Sequence, residues 1–327
     1  MLRIPALQIP DVLPHPNAMR SGRDNRHSYE PEFWEFQYEI YQYLSRVSEQ
    51  ELASRYRYIL RNMHALINPD RHIIPIGSFL SSWYWYRKEH QTRLEFFLRG
   101  RDLPLEPPTG VLNNSPVGAP ARPLSPSAGD ILFRYGERKY MQPMVEQGSI
   151  RIVPASSYRI IEEDCGRADD ELAKSSFWPG EYSRITTKDG KEIPIKGDVQ
   201  KTVCFPDYFV LCMSCDWDLT LFEAFQADSC VVIRRPEVFA QRLELAAKIY
   251  LDDWYFFHAP VQYFDPYEMS RREFFDPGMS KNFCFAYQRE YRFLWIHLCG
   301  KEASGFKLLG LSPLNDIAEL HVRDRRA

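Results

Sequence analysis

Long apolar runs are missing from this sequence. No window of its 327 residues approaches the roughly 20 uninterrupted apolar residues of a membrane-spanning helix. Residues Met1 to Arg20 lack the basic, then apolar, then small-residue order of a signal peptide, so the expected location is the cytoplasm. A strong charge of one sign is also absent. Lys and Arg total 41 against 44 Asp and Glu, for a net charge of −3 and a pI near 6.3. This gives no global electrostatic case for a nucleic-acid or membrane partner, and any such contact must be local. Cysteine is sparse and odd in number at seven (Cys165, Cys204, Cys212, Cys215, Cys230, Cys284, Cys299), mostly beside strand-like segments that read as buried. Reduced thiols are the simpler expectation than a disulfide framework. Cys212 and Cys215 form a CxxC with no second CxxC or HxxxH, so they read as core residues and no metal site is expected. There is no G-x-G-x-x-G, no P-loop and no nucleophile elbow.

The length and the 44% hydrophobic content suit two modest cores. The first 28 residues, rich in Pro, Asn and Arg without a period, read as an irregular arm. Phe33, Phe36, Ile40 and Leu44 then recur as one face of a helix. A second helix opens with the capping box Ser48-x-x-Glu51, carries the stripe Leu52, Tyr56, Ile59, Met63 and Leu66, and stops at Asn68-Pro69. A third is expected over 78–99, with Phe79, Trp83, Phe97 and Leu98 inside and Gly100 as its cap. The aromatics of this stretch interleave with Arg55, Arg57, Arg61 and Arg87. That pattern suits either a base-stacking platform or amphipathic helices with their arginines on the wet face, and the frequent acidic residues favour the latter. Residues 29–100 are thus expected to form a small helical bundle. Residues 101–129, rich in proline and small residues, are expected to be a linker, and 130–327 a second domain.

In that domain the periodicities predict strands over 131–135, 150–153, 182–186, 192–195, 208–214, 230–234, 290–298 and 317–322. Helices are predicted over 137–147, ended by Gly148, and over 219–225 and 237–249. Strand outweighs helix and several strands alternate polar with apolar residues. The expected fold class is therefore α+β, a mixed and largely antiparallel domain.

Three polar residues interrupt segments that otherwise read as buried: Arg134, Ser214 and Glu290. Strand alternation puts Gln288, Glu290 and Arg292 on one face, a charged stripe facing something other than the core. A buried charge needs a partner, so such residues belong either to a structural ion pair or to a site. An Arg-bearing first strand, a helix, a Gly and a second strand, a Ser-bearing strand and a late Gln-x-Glu occur here in that order. The order resembles the ADP-ribosyltransferase superfamily of the Arg-Ser-Glu type. Leu132-Phe-Arg-Tyr-Gly136, Cys212-Met-Ser214, Gln288-Arg-Glu-Tyr-Arg292 and Leu314-Asn-Asp-Ile-Ala-Glu-Leu320 also resemble a large bacterial family met in phage-defence and toxin contexts.

The resemblance covers most of 130–322 and implies an ADP-ribosyltransferase-like domain using NAD as substrate. By that resemblance Arg134 anchors the phosphates or the nicotinamide ribose, Ser214 holds the ribose side, and Tyr158 stacks on nicotinamide. Glu290 is the catalytic carboxylate and Gln288 orients the acceptor. Cleaving the nicotinamide–ribose bond builds positive charge on the sugar, and a carboxylate accepting the 2′-hydroxyl stabilises it. Ser214 is followed by Cys215 and Asp216 where the superfamily has Thr-Ser, and Tyr158 competes for the central position. The implied partners are NAD and a macromolecular acceptor, RNA, DNA or a non-arginine protein side chain, with an antitoxin or other protein at the helical region. The alternatives are a non-catalytic sensor or interaction module of the same fold, and an NAD glycohydrolase. His258 and His297 read as core histidines, and Asp216 and Asp218 as helix caps.

Overall fold

The computed structural model describes residues 30–66, 82–104, 130–160, 170–268 and 276–323. The expected arm at 1–28, most of the expected linker, Phe79 and Cys165 lie outside these residues. The elements run α1 (Pro31–Ile40), α2 (Glu49–Leu66), α3 (Ser82–Leu98), β1 (Leu132–Gly136), α4 (Arg138–Gln147), β2 (Ser149–Pro154) and β3 (Ala173–Trp178). There follow β4 (Ile185–Thr186), β5 (Glu192–Ile193), β6 (Val199–Cys204), β7 (Phe209–Ser214), α5 (Leu219–Ala224), β8 (Ser229–Ile233) and α6 (Pro236–Leu251). The chain continues with β9 (Tyr255–Pro260), β10 (Gln262–Phe264), β11 (Ser280–Asn282), β12 (Glu290–Ile296), β13 (Lys307–Gly310) and β14 (Ala318–Val322). It divides into two units: 1–109 with 176–201 and 265–272, and 110–175 with 202–264 and 273–327.

In the first unit, α3 packs on α1 and α2. The capping box closes as the sequence predicts: Glu51 N donates to Ser48 Oγ at 3.2 Å and Ser48 N to Glu51 Oε2 at 3.3 Å. Gly100 ends α3 at φ +61°. The buried faces differ from expectation in α1 and α3. Phe36 and Ile40 are exposed while Trp34 and Tyr38 are buried, because Trp34 packs edge-on against Trp83 and the Tyr38 hydroxyl reaches buried Glu95. Phe97 and Leu98 are exposed as well, and α3 instead buries Tyr84, Trp85 and Tyr86 together with Lys88, His90 and Thr92. Arg55, expected on the wet face, is buried at 3% exposure. It grips Asp265 with two parallel bonds of 2.9 and 2.6 Å, and Lys88 Nζ stands 2.8 Å from the same carboxylate. Burial works against the charged Asp265 carboxylate, but the adjacent Arg55 and Lys88 outweigh it and hold the group well below the usual carboxylate range.

In the second unit the sheet is built on β7. Its whole length pairs antiparallel with β12, Glu290 opposite Ser214 through Trp295 opposite Phe209. The other edge of β7 is shared: β2 pairs at Val210 and Phe209, and β1 only at Ser214. The sheet therefore forks there, with β2–β13 on one branch and β1–β8–β14 on the other. Beyond β12 comes β9. The larger core lies on the face of Phe209, Leu211, Met213, Phe293 and Trp295, under α4 and α6, and a second core lies on the face of Val210 and Leu294. A buried side chain of this size contributes roughly 1.5–3 kcal/mol. The mixed α+β, mainly antiparallel class is thus observed, with β10–β11 a parallel pair. β3 pairs with β6; β4 and β5, which pair with each other, belong to the first unit. The described cysteines are free, with Cys204 and Cys299 exposed rather than buried.

Candidate functional site

The fork in β7 explains where the singled-out residues go. Cys215 N donates to Arg289 O at 2.7 Å, so by alternation Met213 and Leu211 turn their backbone toward β12. Cys212 then turns its backbone the other way, into the fork, where neither β1 nor β2 pairs with it. Arg134 Nη1 donates to that carbonyl at 2.9 Å. Arg134 adjoins Phe133, the residue opposite Ser214, and its side chain therefore leaves β1 from the other face. Tyr158, in the 3₁₀ turn after β2, is within electrostatic reach of Cys212, Arg134 and Glu290, and burial pushes its phenol well up.

Ser214 ends β7 with its hydroxyl buried. Oγ donates to Gln288 O at 2.7 Å and accepts from Asp216 N at 3.1 Å. Asp218 caps α5 by accepting from Thr220 N at 2.9 Å, as expected, but Asp216 does not cap it and instead pairs with Arg289 at 2.8 Å. That pair holds Arg289 at φ +44°, the left-handed turn that swings the chain from the 3₁₀ segment Phe283–Gln288 into β12. Such backbone is uncommon for a residue with a side chain and recurs at functional sites.

Gln288 and Glu290 are brought together, yet the stripe they share with Arg292 does not face outward. All three are buried, because oppositely charged groups from other segments close over them. Glu290 Oε1 accepts from Arg292 Nε at 2.6 Å and Oε2 from Lys281 Nζ at 2.7 Å, and Lys281 also donates to Gln288 Oε1 at 3.0 Å. Arg292 pairs in turn with Glu171 at 2.6 Å and donates to Gly278 O. The carboxylates of Glu171 and Glu290 are thus matched out of water by Arg292, Lys281 and, 3.7 Å from Glu171, Lys174. Burial opposes the charged form of Glu290, but Arg292 and Lys281 outweigh it and hold the carboxyl well below the usual range. Burial pushes the Cys212 thiol up, in keeping with a core residue rather than a nucleophile.

Sequence reasoning missed Lys281 and Glu171. The signal for Lys281 was a lone cation in the apolar stretch Gly278-Met-Ser-Lys-Asn-Phe-Cys-Phe285. Elsewhere, His258 Nδ1 lies 2.7 Å from the Tyr291 hydroxyl, and His297 pairs with Asp253 at 3.0 Å. No group of three metal-ligating side chains occurs among the described residues, and no helix there is long and apolar enough to cross a membrane. Comparison with family models, with characterised proteins and with solved structures finds no match for this chain.

Proposed function

We propose that the second unit is an ADP-ribosyltransferase-like domain that uses NAD and transfers ADP-ribose to a macromolecular acceptor, a nucleic acid or a non-arginine protein side chain. The reading extends to a bacterial defence toxin acting in the cytoplasm, where free thiols persist. The observation that supports it is that residues far apart in sequence meet along β7: Arg134 bonds Cys212 O, Ser214 lies opposite Glu290 and bonds Gln288 O, and Tyr158 is within electrostatic reach of Arg134 and Glu290. Arg134 takes the anionic part of the dinucleotide, and Glu290, already ionised, accepts the ribose 2′-hydroxyl as the nicotinamide bond breaks and positive charge builds on the sugar. Gln288 orients the acceptor. The reading requires Lys281 to release Glu290 Oε2 when the dinucleotide enters.

A second reading, a non-catalytic sensor or interaction module, is favoured by a specific observation: Arg134 bonds Cys212 O, Ser214 bonds Gln288 O and Glu290 bonds Lys281 and Arg292, all inside the unit. One experiment separates the two. The full chain is incubated with labelled NAD plus RNA, DNA and protein, and compared with Glu290→Gln. Transfer that is lost in a folded variant supports the transferase. Nicotinamide release without a labelled acceptor indicates a glycohydrolase. No turnover at all, with a variant that melts well below the parent, makes Glu290 a structural ion and ends the transferase reading.

A further inference from the structure

We infer that the free edge of β9, together with the acidic stripe of α6, takes an extended basic polypeptide segment as an additional strand. Among the described residues β9 pairs only with β12. Val261 N donates to Glu290 O at 2.9 Å, which fixes the alternation of the ladder: Ala259, Phe257 and Tyr255 turn their backbone toward β12. Phe256, His258 and Pro260 turn theirs outward. Proline has no N–H to offer, and its confinement to outward edge positions is expected; it ends the usable edge at Ala259. Phe256 and His258 therefore present two donors and two acceptors to an incoming strand, the backbone half of β-strand addition.

The other half is set by what overhangs this edge. The side chains of Phe256 and His258 lie on the α6 face, stacked against Phe293 at 6.4 and 5.3 Å. On α6, Glu237, Gln241 and Glu244 follow at i, i+4 and i+7, a single stripe. With Phe256 and His258 this stripe lines a groove of about 340 Å³. A strand laid beside β9 continues the sheet beneath the stripe, so every second side chain of that strand meets Glu237, Gln241 or Glu244. The two carboxylates select lysine or arginine at those positions; Lys248, 3.6 Å from Glu244, is the cation beside them on α6 itself. On the opposite face the exposed Tyr255 and Phe257, 55% and 39% accessible, suit apolar partners. The segment that fits alternates basic and apolar residues.

The backbone geometry makes the test specific. The added strand is taken to run antiparallel to β9, as β12 does, so its residues whose side chains face α6 are those whose N–H and C=O face Phe256 and His258, and the basic residues form the bonds to β9. The probe is a fluorescein-labelled ten-residue peptide of alternating lysine and valine, titrated by anisotropy against the full chain. Binding is expected for this peptide and at least tenfold weaker for its glutamate–valine counterpart. The double variant Glu237→Lys, Glu244→Lys, altered only on a helix surface, should reverse that preference. N-methylation of the lysine amides should abolish binding, whereas N-methylation of the valine amides should leave it within about twofold. Equal binding of the two methylated peptides, equal binding of the acidic peptide, or an unchanged preference in the double variant would each overturn the inference.

Discussion

At Glu290 a single carboxylate is buried with both oxygens taken by cations, and most of what this site can do depends on that balance. Removing one partner of a buried pair leaves the other charged and unsolvated, which typically costs several kcal/mol. Arg292→Met should therefore lower the unfolding free energy by about 3–5 kcal/mol, since it takes from Glu171 its closest cation and from Glu290 one of its two. Urea titration checks this, and a loss under 1 kcal/mol would show that the cluster relaxes without Arg292. The pH dependence follows in sign. Glu290 and Asp265 both have carboxyls depressed below their ordinary values of 4.5 and 3.8. Their contribution is complete above those values and is lost as pH falls below them, because the unfolded chain then takes up protons that the folded one refuses. The urea midpoint should hold between pH 7 and 5 and then fall, and a flat profile down to pH 3 would contradict the pairing. Arg134, Ser214 and Glu290 stood out in the sequence because polar residues are rare inside apolar runs. Their internal satisfaction was not legible there, since the groups that satisfy them, Cys212 O, Gln288 O and Lys281, are placed by the turns and strand pairings of the fold.

Helices and strands with a clean period were legible: α2 with its capping box, α4 with its terminal glycine, and β1, β2, β7, β8, β12 and β14. Strands without one were not. β9 reads Tyr-Phe-Phe-His-Ala-Pro, aromatic on both faces, because one face meets α6 and the other is exposed. The buried faces of α1 and α3 were misread for a related cause. Large aromatics with a polar tip can be buried where a hydrogen bond awaits them, and the partner of Tyr38, Glu95, lies on another helix. Gly148 shows what a cap is worth here. It sits at φ +68°, and a Cβ there would stand 1.9 Å from Ser312 O. Gly148→Ala combines left-handed strain with a backbone clash and should cost at least about 2 kcal/mol, measured by thermal unfolding. Ser48→Ala, removing only one arm of the capping box, should cost about 0.5–2 kcal/mol.

Taken whole, the chain does not divide at a single point. The three long helices α1–α3 come first in the chain, but the unit that contains them also takes in 176–201 and 265–272. Neither segment carries a helical period that would have assigned it to the bundle. Arg55 and Lys88 make their buried pairs with Asp265, so a fragment ending at Thr109 retains two buried cations without their carboxylate. That fragment is expected to lack the near-ultraviolet signal of packed aromatics, and a fragment with native-like spectra would show that the pair is dispensable.

During synthesis this interleaving imposes a delay. Arg55 precedes its carboxylate by 210 residues. At roughly 5–20 residues per second, the helices made first wait on the order of 10–40 s for Asp265 to be made, with the Arg55 and Lys88 sites unneutralised in the meantime. A nascent chain of this kind draws on holding chaperones early, and its need for them should ease once translation has passed residue 272.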